Sequence, residues 1–160
     1  MKIKKHITAL ATAAALSATL PAVAQQSQHM APETMLSLAR VGASALSPDG
    51  KTVVYSVGFP SIKDNKIRTE LFTISSDGSA RRQITQGVAG VHGARWIQQG
   101  RRISYISSES GAPQVWTMAP DGTDRRQVTN IEGGLSDYLF SPDEKQLAYI
   151  KEISFGKSTG

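Results

Sequence analysis

The sequence predicts an all-β chain assembled from repeated four-stranded units, and three observations carry that reading. First, LFTISSDGSARRQIT (Leu71 to Thr85) and VWTMAPDGTDRRQVT (Val115 to Thr129) align without gaps at an offset of 44, with seven of 15 positions identical. Second, ARWIQQGRRISYI (Ala94 to Ile106) and YLFSPDEKQLAYI (Tyr138 to Ile150) stand at the same offset. Third, an earlier copy, SALSPDGKTVVYSV (Ser44 to Val57), lies 50 residues before the Ala94 copy, so the first unit carries six extra residues within Gly58 to Glu70. Short strands recurring every ~40–50 residues are the signature of propeller blades. The predicted architecture is the N-terminal part of a β-propeller: two complete four-stranded blades and half of a third, at about 43–85, 93–129 and 137–160.

Ahead of the blades, residues 1–24 read as a secretory signal peptide. Lys2, Lys4 and Lys5 make a positive start, Ile7 to Leu20 is an uncharged and largely apolar run, and Ala22-Val23-Ala24 supplies the small residues a signal peptidase reads. The run is too short for a membrane span. Cleavage after Ala24 is expected, which makes the protein periplasmic or secreted with no membrane span. Residues 25–42 then form a polar lead that turns into a short helix starting at Pro32-Glu33-Thr34. Proline in the first turn and an acid beside it suit a helix N-terminus, and Met35, Leu36 and Leu38-Ala39 give it an apolar side to lay on the blades.

The first blade opens with Ala43 to Leu46 and the turn Ser47-Pro48-Asp49-Gly50, in which proline presets the first corner and Asp-Gly completes it. Thr52 to Val57 alternates like a half-buried strand, Leu71 to Ser75 makes the third, and Asp77-Gly78 leads to the fourth, Arg82 to Thr85. In the second blade the same roles fall to Arg95–Ile97, Ile103–Ser107, Val115–Ala119 and Arg126–Thr129, with Asp121-Gly122 as the last hairpin. The third copy supplies two strands, around Leu139–Phe140 and Gln146–Lys151. A propeller needs about four to eight blades to close, so the sequence reads as the N-terminal portion of a longer protein.

Composition removes several function classes. The first 24 residues hold three of the 18 Lys and Arg and no Asp or Glu, leaving 15 against 13, a balance of +2 in place of +5. The basic character therefore belongs mostly to the export signal, and no nucleic-acid partner is expected. With no cysteine there is no disulfide and no thiolate metal site. The acids Asp49, Asp77, Asp121 and Asp143 sit in repeat-related turns and read as turn formers, since no short loop gathers the several oxygens calcium requires. The pairs Arg81-Arg82, Arg101-Arg102 and Arg125-Arg126 lie on or beside strands, where neighbours point to opposite faces and build no single basic patch. Trp96 with Phe140, Phe72 with Trp116, and Tyr55, Tyr105 and Tyr149 recur at the blade period, as packing between blades does.

The tail FGKSTG, Phe155 to Gly160, imitates two motifs and satisfies neither. A phosphate-binding loop would need its leading glycine at position 151, which is Lys151. A nucleophile elbow at Ser158 would need partner Asp and His residues further along, and none follows. No catalytic, cofactor-binding or metal-binding residue is assigned to this chain, and no cofactor is expected. The segment Gly58 to Glu70 departs from the repeat and is polar. As a loop on a rigid scaffold it is the best place for contacts, with Lys63, Asp64 and Lys66 as the residues to line an entrance and an ordinary surface loop as the alternative.

PETMLSLARVGASALSPDGKTVVYSV, a short helix running straight into an SPDGK turn, resembles the start of exported peptidases of the prolyl oligopeptidase family. FPSIKDNKIRTELFTISSDGSARRQIT, VWTMAPDGTDRRQVTNIEGG and LFSPDEKQLAYIKEISFGK narrow the resemblance to its bacterial dipeptidyl peptidases, over roughly Pro32 to Lys157. The resemblance implies a propeller placed over an α/β-hydrolase domain and gating peptide access to it. It implies peptide substrates for the full-length enzyme, and a catalytic Ser, Asp and His in a C-terminal hydrolase domain absent from this chain, which by itself would be inactive. A homodimer is compatible with the sequence, which leaves oligomeric state open. The alternative from another class is a periplasmic Tol-type propeller acting as a protein-binding scaffold.

Overall fold

The computed structural model describes residues 31–153; the expected signal peptide and the FGKSTG tail lie outside the described residues. A short helix, α1 (Pro32–Ser37), leads into β1 (Arg40–Leu46), β2 (Thr52–Ser61), β3 (Lys66–Ser75) and β4 (Arg82–Gln83), which pair in that order as one antiparallel sheet. A second sheet repeats the arrangement with β5 (His92–Ile97), β6 (Arg102–Ser107), β7 (Gln114–Met118) and β8 (Arg126–Gln127). Finally β9 (Asp137–Phe140) pairs with β10 (Leu147–Ile150). Each sheet is a simple meander, the order hairpin turns dictate when consecutive strands are neighbours.

The turns form for the reasons their residues suggest. At the first, the Gly50 N–H reaches the Ser47 carbonyl at 2.9 Å with Gly50 at φ +71°, a conformation glycine adopts without penalty. The Ser47 hydroxyl donates to Asp49 Oδ1 at 2.5 Å and accepts from the Thr52 N–H at 2.9 Å, tying the turn to the strand it starts. The outer strands β4 and β8 stop two residues earlier than their alternation suggests. In both, a threonine hydroxyl takes over: the Leu71 N–H donates to Thr85 Oγ1 at 2.8 Å, and the Val115 N–H to Thr129 Oγ1 at 2.9 Å. Side-chain capping there replaces a ladder bond.

Two apolar clusters join the sheets. Val54, Leu71 and Ile84 of the first unit meet Ile103, Tyr105 and Met118 of the second, with Val88 and Val91 from the connection between them. Trp96, at the edge of this cluster, donates its indole N–H to the Ala45 carbonyl at 3.0 Å, so the two sheets are also hydrogen-bonded. The second cluster sets Ile106 and Val115 against Leu135 and Tyr138. The helix differs from expectation: α1 buries no residue, and Met35, Leu36 and Leu38 are about half exposed. One and a half turns span too little of the sheet to cover that side.

Candidate functional site

The segment expected to be a loop, Gly58 to Glu70, is instead the far end of a long hairpin. Strands β2 and β3 stay in register from Thr52↔Ser75 out to Ser61↔Lys66, through Val57↔Glu70 and Phe59↔Arg68. Both strand ends therefore lie inside the segment, and only residues 62–65 turn. The extra residues of the first unit lengthen two strands because β-branched and aromatic side chains at Phe59, Ile67 and Thr69 continue the pairing. The turn itself closes on Asn65 at φ +48°, which asparagine tolerates. The Ser61 hydroxyl donates to Asp64 Oδ2 at 2.7 Å and accepts from the Asp64 N–H at 3.3 Å.

This extension carries an open concavity of about 610 Å³ lined by Phe59, Pro60, Ser61, Asp64, Lys66 and Arg68. Asp64 and Lys66 both line this concavity, whereas Lys63 is exposed at the turn and lines neither this concavity nor the next. The neighbouring hollow, about 340 Å³, runs from Pro60 and Ile67 to Leu36 and Arg40 beside α1. Arg68 is the residue that sequence reasoning missed. Its guanidinium lies over the Phe59 ring at 5.2 Å and donates from Nη1 to Glu70 Oε1 at 2.6 Å.

Glu70 is fully buried, and its role is clearest against its counterpart one repeat later. The Glu70 carboxylate accepts from the Thr85 hydroxyl at 2.7 Å and from the Gly87 N–H at 2.8 Å. Forty-four positions on, Gln114 accepts from the Thr129 hydroxyl at 2.8 Å and from the Ile131 N–H at 3.0 Å. A neutral amide therefore accepts the two equivalent bonds in the second sheet and also donates from Nε2 to the Ile131 carbonyl at 2.7 Å, and there Ala112 stands in the place of Arg68. The repeat alignment contains this signal, since Arg68/Glu70 change together to Ala112/Gln114.

The remaining flagged residues have structural duties. Asp49, Asp77, Asp121 and Asp143 each accept a hydrogen bond from a backbone N–H two residues on. Neighbouring hydroxyls of Ser47, Ser79, Thr123 and Ser141 bond the same carboxylates and hold them below the usual carboxylate range. Arg102 bridges Asp124 at 2.7 Å and Thr117 at 3.2 Å, and Arg126 reaches Asp124 at 2.8 Å. Arg125 pairs with Glu109 and with the Tyr105 hydroxyl, and Arg81 stacks on Phe72 at 4.9 Å. The period-related tyrosines diverge: Tyr105 is buried between sheets, while Tyr149 on β10 is half exposed. Ser158 and His29 lie outside the described residues.

No family model matches the sequence. The chain is 54% identical over 132 residues to dipeptidyl-peptidase 5 of Porphyromonas gingivalis, an alignment covering 82% of this chain and 19% of that protein. It is 46% identical over 128 residues to the dipeptidyl-peptidase 5 of Porphyromonas endodontalis, covering 80% and 18%. The chain is a homologue of dipeptidyl-peptidase 5. It spans about a fifth of the length of these relatives. Among solved structures, the β-propeller domain of the trilobed protease from Pyrococcus furiosus matches with a TM-score of 0.52 at 16% identity, over 69% of this chain and 34% of that one. TolB from Acinetobacter baumannii matches with a TM-score of 0.58 at 19% identity, over 71% and 27%. At such identities the likeness establishes the fold, which is that of a partial β-propeller.

Proposed function

We propose that this chain is the N-terminal propeller region of an exported serine dipeptidyl peptidase, seated over an α/β-hydrolase domain and limiting which peptides reach it. The observation that carries the reading is the 54% identity over 132 residues to a dipeptidyl-peptidase 5. In this reading the catalytic serine, aspartate and histidine belong to the hydrolase domain, and the blades act by shape. A rigid stack of twisted sheets leaves a passage whose rims admit a peptide terminus more readily than a folded chain. The leader with its cut after Ala24 delivers the enzyme to the periplasm or beyond. A Tol-type scaffold is the alternative, but the likeness to TolB, at 19% identity, speaks for the fold alone.

The test is to express the full-length protein that contains this region and fractionate the cells. The reading expects release of fluorophore from dipeptidyl-methylcoumarin amides, labelling by a serine-directed fluorophosphonate, and recovery outside the cytoplasm with residue 25 at the N-terminus. A protein neither cleaving these substrates nor labelled by the probe overturns it.

A further inference from the structure

We propose that Arg68, held by the buried Glu70 against the Phe59 ring and flanked by Lys66, forms a receptor for a peptide carboxylate at the tip of the β2–β3 hairpin. That the ligand is a peptide rests on the peptidase reading above; that the group recognised is a carboxylate rests on the geometry.

The starting point is a charge that the blade does not need. Glu70 and Gln114 occupy one repeat position, both are buried, and both brace a threonine hydroxyl and a backbone N–H. Burying a carboxylate is far costlier than burying an amide, so the charge must be offset by something the amide lacks. What Glu70 has and Gln114 lacks is Arg68, at 2.6 Å. The pair changes as a unit, since position 112 is alanine. The carboxylate thus fixes the guanidinium, and the Phe59 face fixes its plane.

A guanidinium so held is half spent. Arg68 gives one NH group to Glu70, makes no other hydrogen bond among the described residues, and keeps 55% of its side chain exposed. Its side chain lines the concavity together with Lys66, Ser61 and Pro60. A planar fork with a free edge is the form that takes a carboxylate through two parallel hydrogen bonds. Asp64 lies in the same wall with one carboxylate oxygen bonded by the Ser61 hydroxyl. Lys66 lines the same concavity and offsets the Asp64 charge, which leaves the Arg68 fork as the group that selects a carboxylate. Pro60 and the Phe59 ring offer apolar surface for the flanking part of a peptide. This chemistry is distinct from capture of a peptide amino terminus, which would need unpaired acids.

The experiment titrates the full-length protein with three blocked tripeptides by calorimetry: acetyl-Ala-Asp-Ala-amide, acetyl-Ala-Ala-Ala with a free C-terminus, and the neutral acetyl-Ala-Asn-Ala-amide. The first two separate a side-chain acid from a terminal one, and either binding about tenfold tighter than the third supports the proposal. Arg68→Ala and Arg68→Lys are expected to abolish that selectivity, lysine because it cannot form the fork. Glu70→Gln is expected to keep the circular dichroism spectrum and melting behaviour yet lose about as much selectivity as Arg68→Ala. Equal binding of all three peptides overturns the proposal, as does a Glu70→Gln protein that binds like wild type. A Glu70→Gln protein that fails to fold also refutes it, because the premise is that an amide suffices there. Loss of carboxylate selectivity leaves the peptidase reading standing on cleavage and labelling; absence of cleavage leaves this selectivity measurable.

Discussion

Tyr138 is a buried polar fastening between the third strand pair and the second sheet, beside the exposed Arg95–Asp137 and Gln98–Glu144 contacts, and its replacement by phenylalanine tests that docking. The side chain is 2% exposed, and its hydroxyl lies 3.0 Å from the Gly93 carbonyl and 2.8 Å from Ser104 Oγ. Tyr138→Phe keeps the ring, hence its edge contact with Phe140 at 5.9 Å and the Arg95 guanidinium over its face at 5.5 Å. No cavity of any size forms. What is lost is two hydrogen bonds, one to a fully buried serine whose hydroxyl has one other partner among the described residues, the Arg95 carbonyl at 3.3 Å. At about 1 kcal/mol per bond the cost is about 2 kcal/mol. The urea midpoint of the transition that melts these sheets should fall accordingly, by the lost stability divided by the m-value of that transition.

A second arm uses pH. Burial pushes the Tyr138 phenol up to about 12 from an ordinary 10.0. A folded-state value above the unfolded one means the neutral phenol's contribution is complete below pH 10 and is lost as pH rises towards 12. The loss amounts to roughly 2–3 kcal/mol. Urea unfolding followed by the fluorescence of Trp96 and Trp116 at about pH 8 and about pH 11 separates the two effects. Wild type should lose more stability across that interval than Tyr138→Phe. Burial raises the Tyr105 phenol as well, but it is present in both proteins and cancels. Equal midpoints at pH 8, or equal alkaline losses, would refute the reasoning.

Three further outcomes follow from packing and charge. A Cβ at Gly122 would sit 2.4 Å from the Ile84 carbonyl at φ +89°, whereas at Gly78, φ +86°, it meets nothing within 4 Å. Gly78→Ala should therefore cost only backbone strain, about 1–2 kcal/mol, and Gly122→Ala about 1–3 kcal/mol more; equal melting temperatures for the two would mean the sheets do not approach there. Ile103, fully buried between the sheets, should cost about 2–5 kcal/mol on truncation to alanine, read from denaturant midpoints. The turn aspartates Asp49, Asp77, Asp121 and Asp143 are held below their ordinary value of 3.8, so their contribution is present above that value and disappears as pH falls through the lower folded ones. The quadruple Asp→Asn protein should show a flatter acid limb of the stability–pH curve than wild type, and an unchanged limb would remove the turns as its cause.

Much of the fold was legible because it is written twice. The pairing of Leu71–Thr85 with Val115–Thr129 located the equivalent hairpins, and Asp-Gly and Pro-Asp-Gly marked their turns through purely local chemistry. The extended hairpin was not legible. The first unit carries six extra residues within 58–70 that the second unit lacks, and a polar stretch reads as a loop until cross-strand pairing shows Phe59 opposite Arg68. The site was hidden for the same reason. Glu70 looks like a loop acid beside Thr69, and only burial against Thr85 and Gly87 turns it into a buried charge. The signal was nonetheless in the alignment, as the joint change of two positions.

By itself, then, the sequence determined the strand rhythm, the turn positions, the kinship with dipeptidyl-peptidase 5 and the structural standing of its aspartates. Those are properties of neighbours along the chain, or of one repeat set against another. Tertiary structure decided which tyrosine is buried, how far β2 and β3 run, and which cation is held rigid. Each depends on what the next sheet places against a side chain. Tyr105 is buried because the first sheet and Arg125 lie against it, since burial belongs to the pair of surfaces and not to the residue.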